Sequence, residues 1–285
     1  MSEKIYKWAI NIIVGVICAI AAYPLIYVIS ASLMTKSEWI RTNGIFLFPS
    51  KPTLLAYKIL VNNEYIFKAL FVSVLRAASG AVLHVSVCCI LGYALSRPVF
   101  FGKKFFLIFF VITMIYGGGL IPTFIVVDTL NLLDNFLVYI IPGIVGAWSI
   151  LVFKQTFENT PRELEESAQM DGASELVVMA KVVMPVNMPT VVVLLLFSAV
   201  GHWNSWFDAF LYINTNKDII PLQLFLRNAF VEVTSGTDPS LVATELAANT
   251  FKMAIAVIGT VPILCVYPFF QKHFVKGVYM GAVKE

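Results

Sequence analysis

Charged residues are scarce in this sequence, and their scarcity excludes a soluble globular protein. Only 13% of the 285 residues are Asp, Glu, Lys or Arg, whereas 59% are hydrophobic. A soluble domain carries about 25% charged residues, because its surface must face water. The charges also lie between long apolar stretches, several of which reach the length of about 20 residues that crosses a bilayer core. The sequence therefore predicts an integral membrane protein.

Cysteine, histidine and clustered basic residues are also few, which excludes three further classes. The four cysteines all lie in apolar stretches, where thiols behave as small buried residues and not as a disulfide framework. The three histidines lack the spacing of metal ligands. The net charge is only +3 and no basic run occurs, so we expect no nucleic-acid partner. These residues are Cys18, Cys88, Cys89, Cys265, His84, His202 and His273.

Catalytic and nucleotide-binding motifs are missing as well. The sequence has no G-x-x-x-x-G-K-[ST] loop, which could hold the phosphates of ATP. It also has no Ser/His/Asp set, no metal-binding helix and no paired carboxylates in a predicted cleft. We therefore expect that the chain is not an enzyme, that it binds no cofactor or metal, and that its energy source lies on another polypeptide.

Six apolar stretches predict an all-α bundle of six transmembrane helices in one domain, residues 1–285. The short connection 96–104 holds three basic residues, whereas the short connection 128–135 holds none. Because basic residues favour the cytoplasmic side, this contrast places both termini in the cytoplasm, although four basic residues in segment 34–65 argue the other way. The predicted spans cover 8–33, 66–95, 105–127, 136–153, 189–213 and 251–270, with a cytoplasmic segment at 154–188 and an outer segment at 214–250.

The segment 160–189 has the pattern of a short helix, a glycine bend and a second helix. Thr160 is expected to cap the first helix, with Glu163 completing a capping box. Gly172 can end this helix in a left-handed conformation, and Ser174 then begins an apolar helix. An exposed polar helix on the basic side of the membrane is suited to docking a soluble partner.

The same segment resembles the cytoplasmic signature of permease subunits of binding-protein-dependent ABC importers. That signature reads Glu-Ala-Ala, three residues, Gly, nine residues, Ile, one residue and Leu-Pro. Here the spacing is the same, and the matching residues are Glu166-Ser167-Ala168, Gly172, Val182 and Met184-Pro185. In the family this helix sits in a groove of the ATPase subunit. The resemblance therefore implies an ATPase-coupling role for Glu166, Ser167, Ala168, Asp171 and Gly172.

Three other stretches are similar to carbohydrate importers of the maltose type. Trp203-Asn204-Ser205-Trp206 resembles the family's pattern in the fifth span. Phe274-Val275-Lys276-Gly277 and Gly281-Ala282-Val283-Lys284 resemble its C-terminal pattern. The stretch 116–123, YGGGLIPT, resembles the subgroup that imports complex oligosaccharides or polysaccharide fragments.

The resemblance also implies a fold, a location and partners. The fold would be that of a type I ABC importer permease, surrounded by lipid in the bacterial plasma membrane. A second, homologous permease would enclose the path for the sugar, and the maltose-type resemblance favours a heterodimer. Two copies of an ATPase subunit would bind ATP and Mg, and an extracellular or lipid-anchored binding protein would deliver a sugar, expected to be an oligosaccharide.

Polar and aromatic residues within the predicted spans are candidates for the sugar path, because polar groups inside a membrane are costly and usually functional. Arg76 and His84 lie eight residues apart, about two helical turns, so they face similar directions. Asp208 is equally compatible with an interfacial position, and the tryptophans nearby with an interfacial belt. The candidates are Arg76, His84, Trp203, Asn204, Trp206 and Asp208.

Two other functions are alternatives to an ATP-driven importer. An ion-coupled secondary transporter would need inverted repeats and buried coupling carboxylates, which we do not find in the sequence. A membrane enzyme would need acidic catalytic residues at an interface, whereas the acidic residues of 158–175 follow the spacing of capping and of the importer signature.

The outer segment 214–250 is longer than two antiparallel helices need, so it either contacts the binding protein or caps the outer mouth of the bundle. Residues 221–228 have apolar positions at helical spacing, and residues 234–239 have the composition of a turn.

Overall fold

The structure, a computed structural model, describes residues 2–44, 46–235 and 248–282, and every regular element in these ranges is a helix. The chain forms two compact units, Met1–Phe67 with Phe225–Ile263 and Lys68–Leu224 with Leu264–Glu285. The prediction of an all-α fold is confirmed.

Long helices alternate with short ones that fill the connections. In chain order they are α1 (Ser2–Ser32), α2 (Lys36–Thr42), α3 (Leu55–Val61), α4 (Glu64–Ser96), α5 (Lys103–Ile115), α6 (Leu120–Thr129) and α7 (Ala147–Glu158). Two short 3-10 turns, Phe136–Tyr139 and Ile141–Gly143, precede α7. Then follow α8 (Arg162–Met170), α9 (Glu175–Val178), a π-helical turn (Met179–Val183), α10 (Met184–Val186), α11 (Met188–Asn204) and α12 (Phe207–Tyr212). A 3-10 turn (Lys217–Ile219) leads to α13 (Leu222–Ser235), and α14 spans Ala248–Ala282.

Three stretches are long and apolar enough to cross a bilayer alone: Tyr6–Ser32 in α1, all of α4, and Ala248–Val266 in α14. Three further pairs of segments meet the same criterion only together, because each pair is bent at a short break. By length and composition, the described residues therefore supply up to six spans, the number that the sequence predicts.

The predicted span 105–127 is two helices, α5 and α6, whose axes meet at 116°. The break lies at Gly117–Gly119, where Gly119 has φ +80° and a Cβ on Gly117 or Gly118 would meet no atom within 4 Å. The positive φ of Gly119 is a conformation that favours glycine. The three glycines also have no side chains whose packing could align α5 with α6. Within the predicted bounds, the chain is therefore sharply bent at the three glycines.

Two other predicted spans are also interrupted. The span 136–153 begins with the two 3-10 turns and continues as α7 to Glu158, with a 50° bend between the parts. The span 189–213 is helical as α11 only to Asn204, because Ser205 is extended and α12 begins at Phe207. Backbone groups released at such breaks must be satisfied by neighbouring protein or by water in a cavity.

In the first unit, the connection between α1 and α4 is folded and not an open loop. The Tyr27 hydroxyl donates to the carbonyl oxygen of Gly44 at 2.9 Å. The buried carboxylate of Glu38 accepts the backbone N–H groups of Ser50 and Lys51. The bond from Ser50 lowers the pKa of Glu38, because it favours the ionised carboxylate.

In the second unit, α4 and α7 cross in close contact. A Cβ on Gly92 would lie 2.5 Å from the Cβ of Phe153 and 3.1 Å from the carbonyl oxygen of Ile150. The side chains of Phe153 and Phe157 are fully buried beside this crossing and stack on each other. Glycine at position 92 is therefore required by the distance between the two helices.

Asp134 ties together two connections at one end of the second unit. Its Oδ1 accepts the backbone N–H groups of Asn214, Thr215 and Asn216 at 2.7, 2.8 and 3.1 Å. These bonds lower the pKa of Asp134 to about 2, and the bond from Asn216 has the largest effect. The start of the outer segment is therefore fixed to the connection 130–135.

The helical spacing at 221–228 is confirmed, because residues 222–228 lie at the start of α13. The backbone N–H of Leu222 donates to the hydroxyl of Ser73 at 2.8 Å, which fixes the first turn to α4. The turn expected at 234–239 falls mostly outside the described residues.

Candidate functional site

The second unit contains a cavity of about 570 Å³ beside the helix breaks. This volume lies within the range of roughly 300–1,000 Å³ that is typical of small-molecule sites. Its walls combine aromatic rings with hydroxyl, imidazole and charged groups, a mixture that suits a polar solute. The lining residues are Arg76, His84, Val138, Tyr139, Pro142, Gly143, Trp148, Ser149, Leu194, Phe197, Ser198, Gly201, His202, Ser205, Asp208 and Tyr212.

An ion pair between Arg76 of α4 and Asp208 of α12 forms part of the cavity wall. The Arg76 side chain is only 2% exposed, and its Nη1 donates to the carbonyl oxygen of Ser205 at 3.1 Å. Its guanidinium carbon lies 4.4 Å from the centre of the Tyr139 ring. Arg76 therefore joins the break after α11 to the 3-10 turn before α7, and its position depends on the fold of both.

The Asp208 carboxylate has other donors besides Arg76. Its Oδ1 accepts the Ser205 hydroxyl and the Ala209 backbone N–H, both at 2.9 Å. The sequence is compatible with either a path position or an interfacial position for Asp208. In the structure its side chain lines the cavity and is 26% exposed.

His84 holds the second break of the cavity wall. Its Nδ1 lies 2.9 Å from the carbonyl oxygen of Gly143, and its Nε2 lies 2.9 Å from the Ser149 hydroxyl. Because a carbonyl oxygen only accepts, Nδ1 is the nitrogen that donates, to Gly143. A Cβ on Gly146 would lie 2.6 Å from the ring, so the bend between the 3-10 turn and α7 packs directly against His84.

The structure brings three of the six candidate path residues to the cavity. Arg76, His84 and Asp208 line it. Arg76 is paired with Asp208, whereas His84 bonds to the carbonyl oxygen of Gly143. The other three do not line it: Trp203 is buried elsewhere, Asn204 is exposed, and Trp206 packs edge-on against Phe207 and Phe210.

His202 is a cavity residue that the sequence analysis did not include. It lines the cavity, and a Cβ on Gly80 would lie 2.5 Å from its Nε2, so the ring packs directly on α4. The available signal was its position in an apolar stretch, since ionisable residues within spans are functional candidates by default.

The second candidate site is the helix–bend–helix between α7 and α11. Gly172 has φ +84°, as the predicted left-handed bend requires. The bend is closed by hydrogen bonds from Gly172 N–H to Gln169 O at 2.9 Å and from Ala173 N–H to Ala168 O at 3.0 Å. On α8 and the bend, the side chains of Glu166, Ser167 and Asp171 are exposed and Ala168 is half-buried.

The predicted capping box of α8 is wrong. The residue before α8 is Pro161, which makes no side-chain capping bond, and the helix begins at Arg162. The Thr160 hydroxyl instead accepts from the amide of Asn187 at 2.8 Å, which connects the start of α8 to the break before α11. Ser174 precedes α9 as predicted, but its side chain also makes no capping bond.

A chain with up to six apolar spans, a polar cavity between broken helices and an exposed helix–bend–helix has the features of a membrane permease. Comparison with known proteins identifies the family. Residues 4–279 match the model of the binding-protein-dependent transport system inner membrane component, and the chain belongs to this family.

Individual relatives match along nearly the whole chain. The polygalacturonan/rhamnogalacturonan transport system permease protein YtcP of Bacillus subtilis is 35% identical, with 100% of both chains covered. Protein LplC of the same organism is 35% identical, with 95% of this chain and 92% of LplC covered. In a crystal structure of a bacterial ABC transporter that imports the acidic polysaccharide alginate, one chain is similar with a TM-score of 0.84 and 28% identity, covering 96% of this chain and 98% of that one.

Family membership decides several expectations from the sequence. The chain is a multi-pass permease subunit of an ABC transporter with the type I permease fold. It is not an enzyme, and ATP hydrolysis takes place on a separate subunit. The ion-coupled secondary transporter finds no support among the relatives.

Proposed function

We propose that this chain forms, with a second and homologous permease, the membrane path for an oligosaccharide that an extracellular binding protein delivers. The observation that carries the proposal is the cavity of about 570 Å³ in a permease of this family. Its position beside two helix breaks, one between the 3-10 turns and α7 and one at Ser205, gives it walls that can change shape when the helices on either side of a break move. We propose Arg76, His84 and Asp208, with His202, as path residues.

The chemistry of the cavity supports a sugar as the solute. Trp148 and Phe197 contribute aromatic faces, and Ser149, Ser198 and Tyr212 contribute hydroxyl groups. Aromatic faces can stack on the apolar faces of sugar rings, while hydroxyl groups exchange hydrogen bonds with sugar hydroxyls. The names of the relatives support the same solute class, since YtcP is a polygalacturonan and rhamnogalacturonan permease and the similar crystal structure comes from an alginate importer.

The energy for transport comes, in this proposal, from two copies of an ATPase subunit that bind ATP and Mg. They dock on α8, whose exposed side chains include Glu166 and Ser167, and the bend at Asp171 and Gly172 sets the direction of the helices that follow. The partner permease is homologous and not identical, and the outer segment 214–250 contacts the binding protein. Both termini lie in the cytoplasm of a bacterial cell.

The orientation predicts opposite labelling of two engineered cysteines. Ser167 and Lys217 are exposed and lie on connections that the proposal places on opposite sides of the membrane. In a chain carrying Cys18→Ser and Cys265→Ser, we expect Ser167→Cys to react with an impermeant maleimide only in inside-out vesicles, and Lys217→Cys only in intact spheroplasts. Reaction of both from one side contradicts the proposed orientation. Cys88 and Cys89 are buried and are kept, so the chain without an engineered cysteine shows the background labelling of the native thiols.

The transport function is tested with the complete transporter, purified through a tag on this chain and reconstituted in proteoliposomes. We expect an ATPase subunit and a second permease to co-purify, and labelled oligogalacturonides to enter only when ATP and the binding protein are both present. Entry driven by a proton or sodium gradient without ATP contradicts the proposal. Labelled maltose and malto-oligosaccharides, which carry no charge, serve as the comparison solutes.

A further inference from the structure

Arg97, immediately after the end of α4, holds α8 through an ion pair with Glu165. One guanidinium nitrogen contacts Glu165 Oε2, and Nη2 donates to Oε1 at 3.1 Å, so the pair is bidentate. Glu165 is only 4% exposed although it lies on a short helix whose other acidic side chains face solvent. A bidentate Arg–carboxylate pair fixes orientation as well as distance. The ion pair therefore attaches the first turn of α8 to the end of α4.

Tyr93, one helical turn earlier on α4, holds the other side of the bend. Its hydroxyl donates to Glu175 Oε2 at 2.8 Å, at the start of α9. The side-chain amide of Gln169 donates to the other oxygen of the same carboxylate at 2.9 Å, which links the end of α8 to the start of α9. The Arg97 guanidinium lies 4.1 Å from the centre of the Tyr93 ring, so the two α4 residues also support each other.

These five residues, Tyr93, Arg97, Glu165, Gln169 and Glu175, form what we call the bend clamp. Glu165 and Gln169 precede the left-handed bend at Gly172, and Glu175 follows it. The bend is open to solvent on the side of Gly172, because no atom lies within 4 Å of a Cβ placed there, whereas Ala168 and Ala173 on either side pack against the core. Polar contacts to a third helix, α4, add to this packing and hold both α8 and α9.

We propose that the bend clamp makes α8 and its bend move as one body with α4, and that Arg97 and Glu165 are therefore positioning residues for ATP coupling. The proposal rests on the proposed function. α4 is a single helix of 33 residues without proline, and it also carries Arg76 and His84 of the cavity. At 1.5 Å per residue, Tyr93 lies about 25 Å along the axis from Arg76. Movement of α8 imposed by an ATPase reaches the cavity wall directly through this helix.

The attachment is tested first by a distance measurement that needs no transport. Val99 follows α4, and Glu163 lies on α8 outside the proposed coupling residues. Both are exposed and can carry spin labels in a chain with Cys18→Ser and Cys265→Ser. In the purified complete transporter, we expect a narrow distance distribution that broadens in Arg97→Ala and in Glu165→Ala. If the distribution stays as narrow as in the parent chain, the clamp does not position α8 and the inference is wrong, whether or not the chain transports sugar.

The functional consequence is tested by the number of ATP molecules hydrolysed per oligogalacturonide imported. We expect this ratio to rise at least about twofold in each single variant, because a contact in a coupling network contributes about 0.5–2 kcal/mol. The double variant Arg97→Ala with Glu165→Ala leaves no buried unpaired carboxylate, so its melting temperature should recover relative to Arg97→Ala. Its ratio should stay as high as in the single variants. A ratio that recovers together with the melting temperature assigns the pair a structural role only and overturns the inference.

Lys103→Ala provides the matched control. Lys103 pairs with Glu158 at 2.8 Å between α5 and α7, close to the same end of α4 but away from the bend. We expect this variant to keep the parental distance distribution and the parental ATP ratio. An equal effect of Lys103→Ala contradicts a specific role for the clamp. Absence of ATP-driven uptake by the parent transporter, with a broadened distribution in the clamp variants, refutes the proposed function and not the clamp.

Discussion

Gly172→Val is expected to lower ATP-driven uptake by about tenfold while the chain still inserts in the membrane. Gly172 has φ +84°, and a Cβ placed there meets nothing within 4 Å, so the cost of a side chain is backbone strain and not a clash. A left-handed conformation costs roughly 1–2 kcal/mol for an ordinary L-residue, and more for a β-branched one. That energy lowers the population of the native bend by a factor of about 5 to 30. The measurement is uptake of labelled oligogalacturonides by the reconstituted transporter.

Two variants make the result for Gly172 specific. Gly172→Asn should retain most of the uptake, because asparagine adopts the left-handed region several-fold more often than other residues. Gly15→Val adds the same side chain in open space on α1, where φ is not positive, and should leave uptake unchanged. Normal uptake and normal stimulation of ATP hydrolysis by Gly172→Val remove the coupling role from this bend.

Asp208→Ala is expected to destabilise the second unit by about 3 kcal/mol, whereas Arg76→Met costs about 1 kcal/mol. The asymmetry follows from exposure, since the Arg76 side chain is 2% exposed and that of Asp208 is 26% exposed. Without Asp208, the partners of the buried guanidinium among the described residues are the Ser205 carbonyl and the Tyr139 ring. Without Arg76, Asp208 keeps the donors of Ser205 and Ala209. The free energies of unfolding are measured by denaturant titration in mixed micelles.

The double variant Arg76→Met with Asp208→Ala should be more stable than Asp208→Ala alone, because it leaves no buried cation without its partner. Lys68 and Asp218 provide a matched pair, with one residue on the same helix and side chains 60% and 69% exposed. Lys68→Met and Asp218→Ala should each change the free energy of unfolding by less than about 1 kcal/mol. Equal costs for Arg76→Met and Asp208→Ala contradict the described asymmetry.

The family and the coupling segment could be recognised because their signals are local in the chain. The apolar length of a span, the spacing from Glu166 to Pro185, and a glycine where a left-handed residue is needed are all properties of short windows. The φ of +84° at Gly172 agrees with that prediction. The cap of α8 was predicted one residue too early because Thr160 has a tertiary alternative, the amide of Asn187, which the local pattern does not contain.

The residues that line the cavity could be predicted only in part, for a related reason. Arg76 and His84 were found because an ionisable residue in an apolar stretch is conspicuous. Trp203, Asn204 and Trp206 lie in the same stretch of sequence as Asp208, but the helix breaks at Ser205. Beyond a break, residues adjacent in sequence no longer follow one helical period, so their faces cannot be deduced from spacing.

The sequence by itself determined that this chain crosses the membrane, that it lacks a G-x-x-x-x-G-K-[ST] loop, and that it carries an importer signature with a glycine at the position of the bend. These properties depend on composition and on contacts within a few residues. The tertiary structure alone decided that α5 and α6 meet at 116°, that Arg76 pairs with Asp208, and that Arg97 holds Glu165 across 68 positions of sequence. Such contacts depend on how distant helices pack, and packing brings together residues whose separation along the chain carries no periodic signal.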